Sequence, residues 1–553
     1  MVKEQETLNL AIKSHEEGNF EGAERLYREI LEQNPNNDTA LYCLGIMARQ
    51  LGHYAAAISY LNKAIEINPN FEYYKDLGNI YFDLSRGEEA VECYKKVLEI
   101  NPDDIEINHN LGLIYQETGY IDEAIQCFLN VISINKDEYE TLNILGSLYF
   151  NHKRDIINAI NCLDKAILAK PDYADAYFNL GIMYNWIQKT DEAIKSYEKA
   201  LELNLNSEAL YINLGTAYQE KNNLETAISF YRQGLELYPD NPYLKFNLGC
   251  CLIKTGGFEQ GWKYFESRLD VFEHHNLKFD PDLKPKWDGN QLIQDKTVYV
   301  YPASMSFDTG DSINFARYLP ILEAMGAKII YKVQPELQKL FKQSNLKAEI
   351  IDNSIPDETL EFDYQVPFMS LPAAFEANPD NIPFKASYLK ADPEKVSYYK
   401  ENYFNNDDFK VGIFWYSAVA DSNRVMPLDH FLPLAENIKL YSLQKGDGIE
   451  DIPEGLQVVN LGETFNDFAD TAAAIENFDL VITPDAPIAH LAGALGKAAW
   501  VMLPFLCDWR WMVNTEKSIW YDSIRLFRQS KPDNWDGVMN EVVGVLKEKM
   551  EQS

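Results

Sequence analysis

Three short stretches in the second half of this chain put acids, a cation and small residues where reactions are run at strand ends. The first, Thr309-Gly310-Asp311-Ser312, follows an apolar run at 297–301 and precedes a segment patterned as a helix over 313–325. A glycine and a short acid at a helix start serve either as an N-cap or as a general base. In the second role Asp311 would take the proton of an attacking hydroxyl, with Gly310 and Ser312 forming the loop on the acceptor side. The second stretch, Ser422-Asn423-Arg424, lies in the loop after a run at 411–415, where Arg424 is either a solvated cation or a bidentate clamp for a diphosphate. The third runs from Thr483 to Gly496 and is the most specific. A strand enters an acid, Asp485, and a helix of small residues opens at once, with Gly496 placed to cap its C-terminus. A helix N-terminus suits a phosphate or a sugar hydroxyl, and small residues such as Ala486 and Gly493 let the helix approach its neighbours closely. Asp485 would cap that helix or hold sugar hydroxyls. His490, within the first turn and a half, is either a satisfied structural residue or a ligand contact.

Strands and helices must hold these stretches in place. Apolar runs rich in Val, Ile and Tyr at 297–301, 328–333, 349–352 and 364–367 form one series; runs at 411–415, 439–443, 456–460, 480–483 and 499–503 form a second. Their alternation with helical segments marks strand-helix-strand units and parallel sheets. Two series joined by a bridge near 385–408 predict two Rossmann-like lobes facing a cleft, with ligands bound beyond the carboxyl ends of the strands.

The first half has a different rhythm. A Leu-Gly pair recurs at Gly45, Gly78, Gly112, Gly146, Gly181, Gly215 and Gly249, at 34-residue spacing that is once 33 and once 35. A tyrosine often stands three residues after the glycine (Tyr81, Tyr115, Tyr149, Tyr184, Tyr218) and an alanine twelve after it (Ala57, Ala90, Ala124, Ala193, Ala227). The pattern resembles the tetratricopeptide repeat, a helix-turn-helix stacked into a right-handed solenoid with a concave surface for a partner. About eight repeats are expected. The first starts near residue 4 with Ala11, Ala23 and Pro35 and lacks the glycine; one extra residue around 151–155 should bulge a turn without disturbing the stack. In the last repeat Gly261-Trp262 and Phe265-Glu266-Ser267-Arg268 replace the usual second helix, through divergence or as a helix that docks the array onto the next domain.

Composition narrows the function. A chain of 553 residues with 46% hydrophobic residues can build several packed domains. Its net charge of −35, with no cluster of Lys and Arg, argues against nucleic acid. Seven cysteines, an odd number placed mostly at helix-packing positions, fit a reducing compartment. No signal peptide or membrane span is expected, and a cytoplasmic location follows. Zinc-type Cys/His spacing, a Walker loop and a Gly-x-Ser-x-Gly elbow are not found. Trp509, Trp511 and Trp520 would stack on a sugar or base, or pack the C-terminal helix back onto the first lobe.

The segment 478–503, with Asp508-Trp509-Arg510-Trp511, Trp520-Tyr521 and Arg525-Leu526-Phe527-Arg528-Gln529, resembles the C-terminal lobe of bacterial tetratricopeptide-repeat glycosyltransferases, relatives of the ADP-heptose:lipopolysaccharide heptosyltransferases. Gly310-Asp311 with Asn314-Phe315-Ala316-Arg317-Tyr318, Met369-Ser370-Leu371-Pro372, Ser442-Leu443-Gln444-Lys445 and 467–472 fit the same family. The resemblance implies an all-α solenoid over 1–270, a linker over 271–295 and a GT-B domain of two lobes, 296–395 and 396–553, the second ending in a helix that packs back. It implies inverting, metal-independent transfer from a nucleotide-sugar co-substrate, without a cofactor. Asp311 matches the family's proposed base; Asp485, Ala486, His490, Gly493, Gln444 and Lys445 fall on the donor side, and Arg424 is the match for the cation that offsets the leaving group. The chain departs from the family in Phe307-Asp308-Thr309 before Gly310, and in Ala486-Pro487 where a hydroxyl usually follows the acid. The layout resembles that of the O-GlcNAc transferase and flagellin glycosyltransferases. This implies a protein acceptor, modified on Ser or Thr, in the repeat groove; a glycan or lipid-linked acceptor and a non-catalytic scaffold are the alternatives. A homo-oligomer formed through the repeats is compatible with the array.

Overall fold

In a computed structural model, the structure describes residues 2–273, 284–302, 309–352, 354–406, 408–416, 426–435, 438–446, 452–453 and 455–551. Contacts divide the chain into two compact units, Met1–Asn206 and Ser207–Ser553. The first holds six antiparallel helix pairs, from Val2–Glu16 with Phe20–Gln33 to Ala174–Trp186 with Thr190–Glu202. The second holds the last two pairs, Glu208–Glu220 with Leu224–Leu237 and Pro242–Thr255 with Phe258–Phe265, and then two parallel sheets. Among the described residues no helix is long and apolar enough to cross a membrane.

The glycine of each repeat is required by the residue sixteen or seventeen positions later. A Cβ on Gly78 would lie 2.7 Å from the Tyr94 ring and one on Gly112 2.7 Å from Phe128; Gly181 and Gly215 meet Tyr197 and Tyr231 in the same way, and Gly45 and Gly146 meet Leu61 and Leu163. The bare Cα lets a large side chain of the second helix lie flat on the first, so Tyr94, Phe128, Tyr197 and Tyr231 are all buried. The alanines twelve residues on pack at the same crossing and are wholly buried. The extra residue of the fifth repeat is taken up as expected: Tyr149–Lys153 forms one π-helical turn, Arg154 adopts a left-handed φ of 55°, and Ala159 and Leu163 still reach the core.

In the second unit the strands are β1 Thr297–Tyr301, β2 Lys328–Lys332, β3 Ala348–Ile351, β4 Tyr364–Pro367, β5 Lys410–Ile413, β6 Lys439–Ser442, β7 Val458–Asn460, β8 Leu480–Pro484, β9 Ala499–Leu503 and β10 Ile524–Arg528. The first sheet runs β3-β2-β1-β4 and the second β10-β9-β8-β5-β6-β7, all parallel. Each is doubly wound, reversing its strand order between β1 and β4 and between β5 and β8, the points where such sheets open a crevice at their carboxyl ends. Strands β8 and β9 are buried along their whole length, because helices cover both faces.

Three expectations change. The array does not stop at 270 as a separate body: Ile253, Trp262 and Phe265 of the last repeat share one core with Val298, Ile313, Tyr521 and Leu526 of both lobes. The 271–295 segment is not a free linker in its second half, since Trp287 is fully buried against Phe375 and its N–H bonds to the Gln365 carbonyl of β4. The terminal helix Trp535–Glu551 packs on Leu428–Leu434 and β10 of its own lobe, filling the second core with Val538, Met539, Val542 and Leu546. Of the indole cluster, Trp509 and Trp520 are buried against Trp262 of the last repeat, and Trp520 also meets Phe315 of the first lobe.

Gly249 meets main chain, since a Cβ there would lie 2.5 Å from the Phe265 nitrogen, whereas Gly45 faces the movable Leu61 side chain. Gly249→Ala is therefore expected to destabilise the chain by ~1–3 kcal/mol. Gly45→Ala is expected to cost less than Gly249→Ala, because its Cβ presses on the Leu61 side chain, not on main chain, and the ~1 kcal/mol gain in helix propensity offsets part of that strain. Thermal unfolding of the two variants side by side checks the ranking.

Candidate functional site

Asp311 sits in the helix Thr309–Phe315, which starts four residues earlier than its apolar pattern suggests. Gly310 and Ser312 are therefore helical and buried, not part of a loop. The helix can run through this polar stretch because each polar group finds a partner. The Ser312 hydroxyl donates to Gln334 Oε1 at 3.0 Å, and the Ser312 carbonyl accepts from the Tyr331 hydroxyl at 2.6 Å. Asp311 itself, 4% exposed, accepts a fork from Arg510: Nε to Oδ1 at 2.7 Å and Nη2 to Oδ2 at 2.5 Å. The third arm of the guanidinium, Nη1, donates to Asp508 Oδ1 at 2.7 Å, and the group lies over the Trp509 ring. One cation between two carboxylates in a buried place is held by charge as well as geometry.

The helix Pro487–Leu495 packs against the Asp311 helix. Its N-cap is Ala486, without a side-chain capping bond, and Gly496 closes its other end with a left-handed φ of 76°, as the sequence indicates. Asp485 follows β8 directly and is buried. His490 is buried, stacked on Trp511 at 5.3 Å and hydrogen-bonded through Nδ1 to the Tyr521 hydroxyl at 3.1 Å. Gly493 is bare because the Tyr521 ring lies against it. That tyrosine also donates to Asn314 Oδ1 at 3.0 Å, and the Arg317 guanidinium lies 4.5 Å from its ring. Burial pushes the Tyr521 phenol well above its usual range, which keeps it a neutral hydrogen-bond link.

Gln444 and Lys445 stand past the end of β6, on the far side of β5 from Asp485. Gln444 Oε1 accepts from the Tyr416 N–H at 3.2 Å, and Lys445 Nζ donates to the Phe465 carbonyl at 2.7 Å. Arg424 lies outside the described residues. The structure thus joins Asp311 to the 485–493 segment through Arg510, Trp511 and Tyr521, and sets Gln444 and Lys445 apart on the next strand.

The last repeat also reaches this region. Arg268 is 1% exposed and donates through Nη2 to Ser370 Oγ at 2.6 Å, just past β4, while pairing with Glu266; Lys286 pairs with the same acid. Sequence patterning gave Arg268 and Arg510 only as members of motifs. Their partners lie 102 and 199 residues away, and the sole local signal is an arginine set among tryptophans or beside an acid.

Comparison with known proteins bears on the first half. The chain matches the family described as TPR repeat over residues 78–119, and those described as tetratricopeptide repeat over 14–78, 105–138 and 172–240. Its N-terminal half is thus built of tetratricopeptide repeats. Protein FlbA of Caulobacter vibrioides is 25% identical over 325 residues, 52% of each chain. The TPR repeat-containing protein MJ1428 of Methanocaldococcus jannaschii is 27% identical over 18% of each chain. The chain thus spans at most about half the length of these curated relatives. A crystal structure of MamA protein is 30% identical over 30% of this chain and 90% of that one, with a TM-score of 0.29.

Two outcomes follow from the ion pairs. Arg510→Met leaves the buried Asp311 and the half-buried Asp508 without their shared cation, and a stability loss of ~3–5 kcal/mol is expected in chemical unfolding, larger than for Asp311→Asn. At Glu266, burial raises the pKa, but the Arg268 and Lys286 charges and their hydrogen bonds outweigh it, so the net shift is downward. A carboxylate lowered in this way stabilises the fold above its unfolded pKa and loses that contribution as pH falls through its folded value. The melting-temperature gap between the native chain and Glu266→Gln should be widest near pH 7 and close below about pH 4.

Proposed function

We propose that this chain is a glycosyltransferase that moves a sugar from a nucleotide-sugar donor to a Ser or Thr hydroxyl of a protein held by its repeats. The observation that carries the reading is the meeting of two doubly wound lobes at their motif helices, Thr309–Phe315 against Pro487–Leu495, in a single compact unit. This is the arrangement a GT-B enzyme needs: acceptor chemistry on one lobe, donor on the other, and the reacting atoms between them. Asp311 serves as the base that takes the acceptor proton as the hydroxyl attacks the anomeric carbon with inversion. Asp485 holds the donor sugar, and the uncapped N-terminus at Ala486 faces the diphosphate. The leaving nucleotide diphosphate takes the bonding electrons, and Arg424 with the helix end offsets its charge without a metal. Tetratricopeptide arrays bind protein partners, which favours a protein acceptor, flagellin or another surface protein in a cytoplasmic setting.

A second reading rests on the repeats alone. Every family match falls in the first half of the chain, and a scaffold that gathers proteins and binds nucleotide without turnover would carry the same array.

Titration calorimetry with UDP-, GDP-, ADP- and CMP-sugars separates the two. Saturable binding of one donor is expected, lost in Asp485→Ala. Hydrolysis or transfer of that donor should fall ~10²–10⁴-fold in Asp311→Asn at unchanged donor affinity. Binding of no donor overturns the transferase reading in favour of the scaffold.

A further inference from the structure

The turn that carries Arg510 is held from the repeat side. Lys254, in the first helix of the last repeat, is 9% exposed and grips both ends of the 507–513 segment: its Nζ donates to the Cys507 carbonyl at 2.8 Å, and its own carbonyl accepts from the Val513 N–H at 3.1 Å. The second helix adds Trp262, whose ring meets Trp509 at 5.5 Å and Trp520 at 6.5 Å. Trp520 in turn donates its indole N–H to the Arg510 carbonyl at 2.9 Å. The Arg510 main chain is therefore set by residues 254, 262 and 520, while its side chain sets both oxygens of Asp311.

We propose that Lys254 is a positioning residue for the reaction: by clamping the 507–513 segment it places Arg510, and through Arg510 it fixes the Asp311 carboxylate against the acceptor. The proposal rests on Asp311 being the base of a transferase, and gives the last repeat a part in the reaction centre beyond recruiting a partner. A buried lysine at this point of the array is otherwise a liability, because burying an ammonium is costly unless it makes bonds that matter. Here it spans the ends of a seven-residue segment whose middle carries Arg510, the bidentate ionic partner of the reacting acid. A displacement of about 1 Å in such a support costs up to ~10²-fold in rate while leaving distant binding contacts intact.

The test uses the full chain with the nucleotide sugar that it binds, following hydrolysis so that no acceptor need be known. Lys254→Met is expected to lower kcat by roughly ten- to a hundredfold while the calorimetric donor Kd stays within about twofold. Trp520→Phe, which removes the N–H bonded to the Arg510 carbonyl together with part of the buried ring, should lower kcat in the same direction. A Lys254→Met chain that is folded and keeps the native kcat overturns the proposal, as does one whose loss lies wholly in donor affinity. A melting-temperature cycle of Lys254→Met with Asp311→Asn needs no activity: non-additive losses support the clamp, and additive losses overturn it. Should no nucleotide sugar bind the native chain, the transferase reading falls, and this cycle alone decides whether Lys254 and Asp311 are coupled.

Discussion

A guanidinium taken out of water costs several kcal/mol unless its donors are met, and Arg510 meets that cost with Asp311 on one side and Asp508 on the other. Much of the architecture follows from that demand. Asp311 belongs to the first lobe and Arg510 to the turn after β9, so the fork cannot form unless the two lobes close on each other. The aromatic side chains around it, Trp509, Trp511, Trp520 and Tyr521, exclude water from the pair and make it stronger than the same pair would be at a surface. Apolar burial supplies the driving force, and the ion pair ties the Asp311 helix of the first lobe to the turn after β9.

The same economy of space governs the repeats. A helix pair packs at close range only if one helix offers a gap where the other offers bulk, and the glycine opposite Tyr94, Phe128, Tyr197 or Tyr231 is that gap. In the last repeat the gap is filled by main chain, and the second helix turns its large residues outward, Trp262 and Phe265 entering the core of the lobes. A solenoid would normally end in a polar cap; this one ends by handing its last hydrophobic face to another domain. That exchange explains why no break falls at residue 270.

Period and burial pattern made most of the elements legible. The glycines predicted the repeats, and the Val- and Ile-rich runs predicted nine strands to within two residues, because parallel strands covered on both faces are continuously apolar. Strand β10 was read only as a motif, since Arg525 and Arg528 interrupt its apolar run. Of the site, the positions of Asp311 and Asp485 at the ends of the lobes were legible from strand-to-helix transitions. The Arg510 fork was not, because it joins residues 199 apart and leaves no local period. The packing of the Tyr521 ring on Gly493 was not legible either, because a small-residue helix reads alike whether a phosphate or a tyrosine ring lies against it.

The π-helical turn at Tyr149–Lys153 has a consequence for how such arrays change length. Because each repeat takes its register from its own glycine and the bulky residue that covers it, an added residue is contained between them and is not passed to the next repeat. Insertions are thus quarantined, one repeat at a time, and a lineage can vary the turns freely while whole repeats are duplicated or lost as interchangeable parts. The eighth repeat is the exception to such interchange, since its Lys254 and Trp262 are committed to the domain that follows.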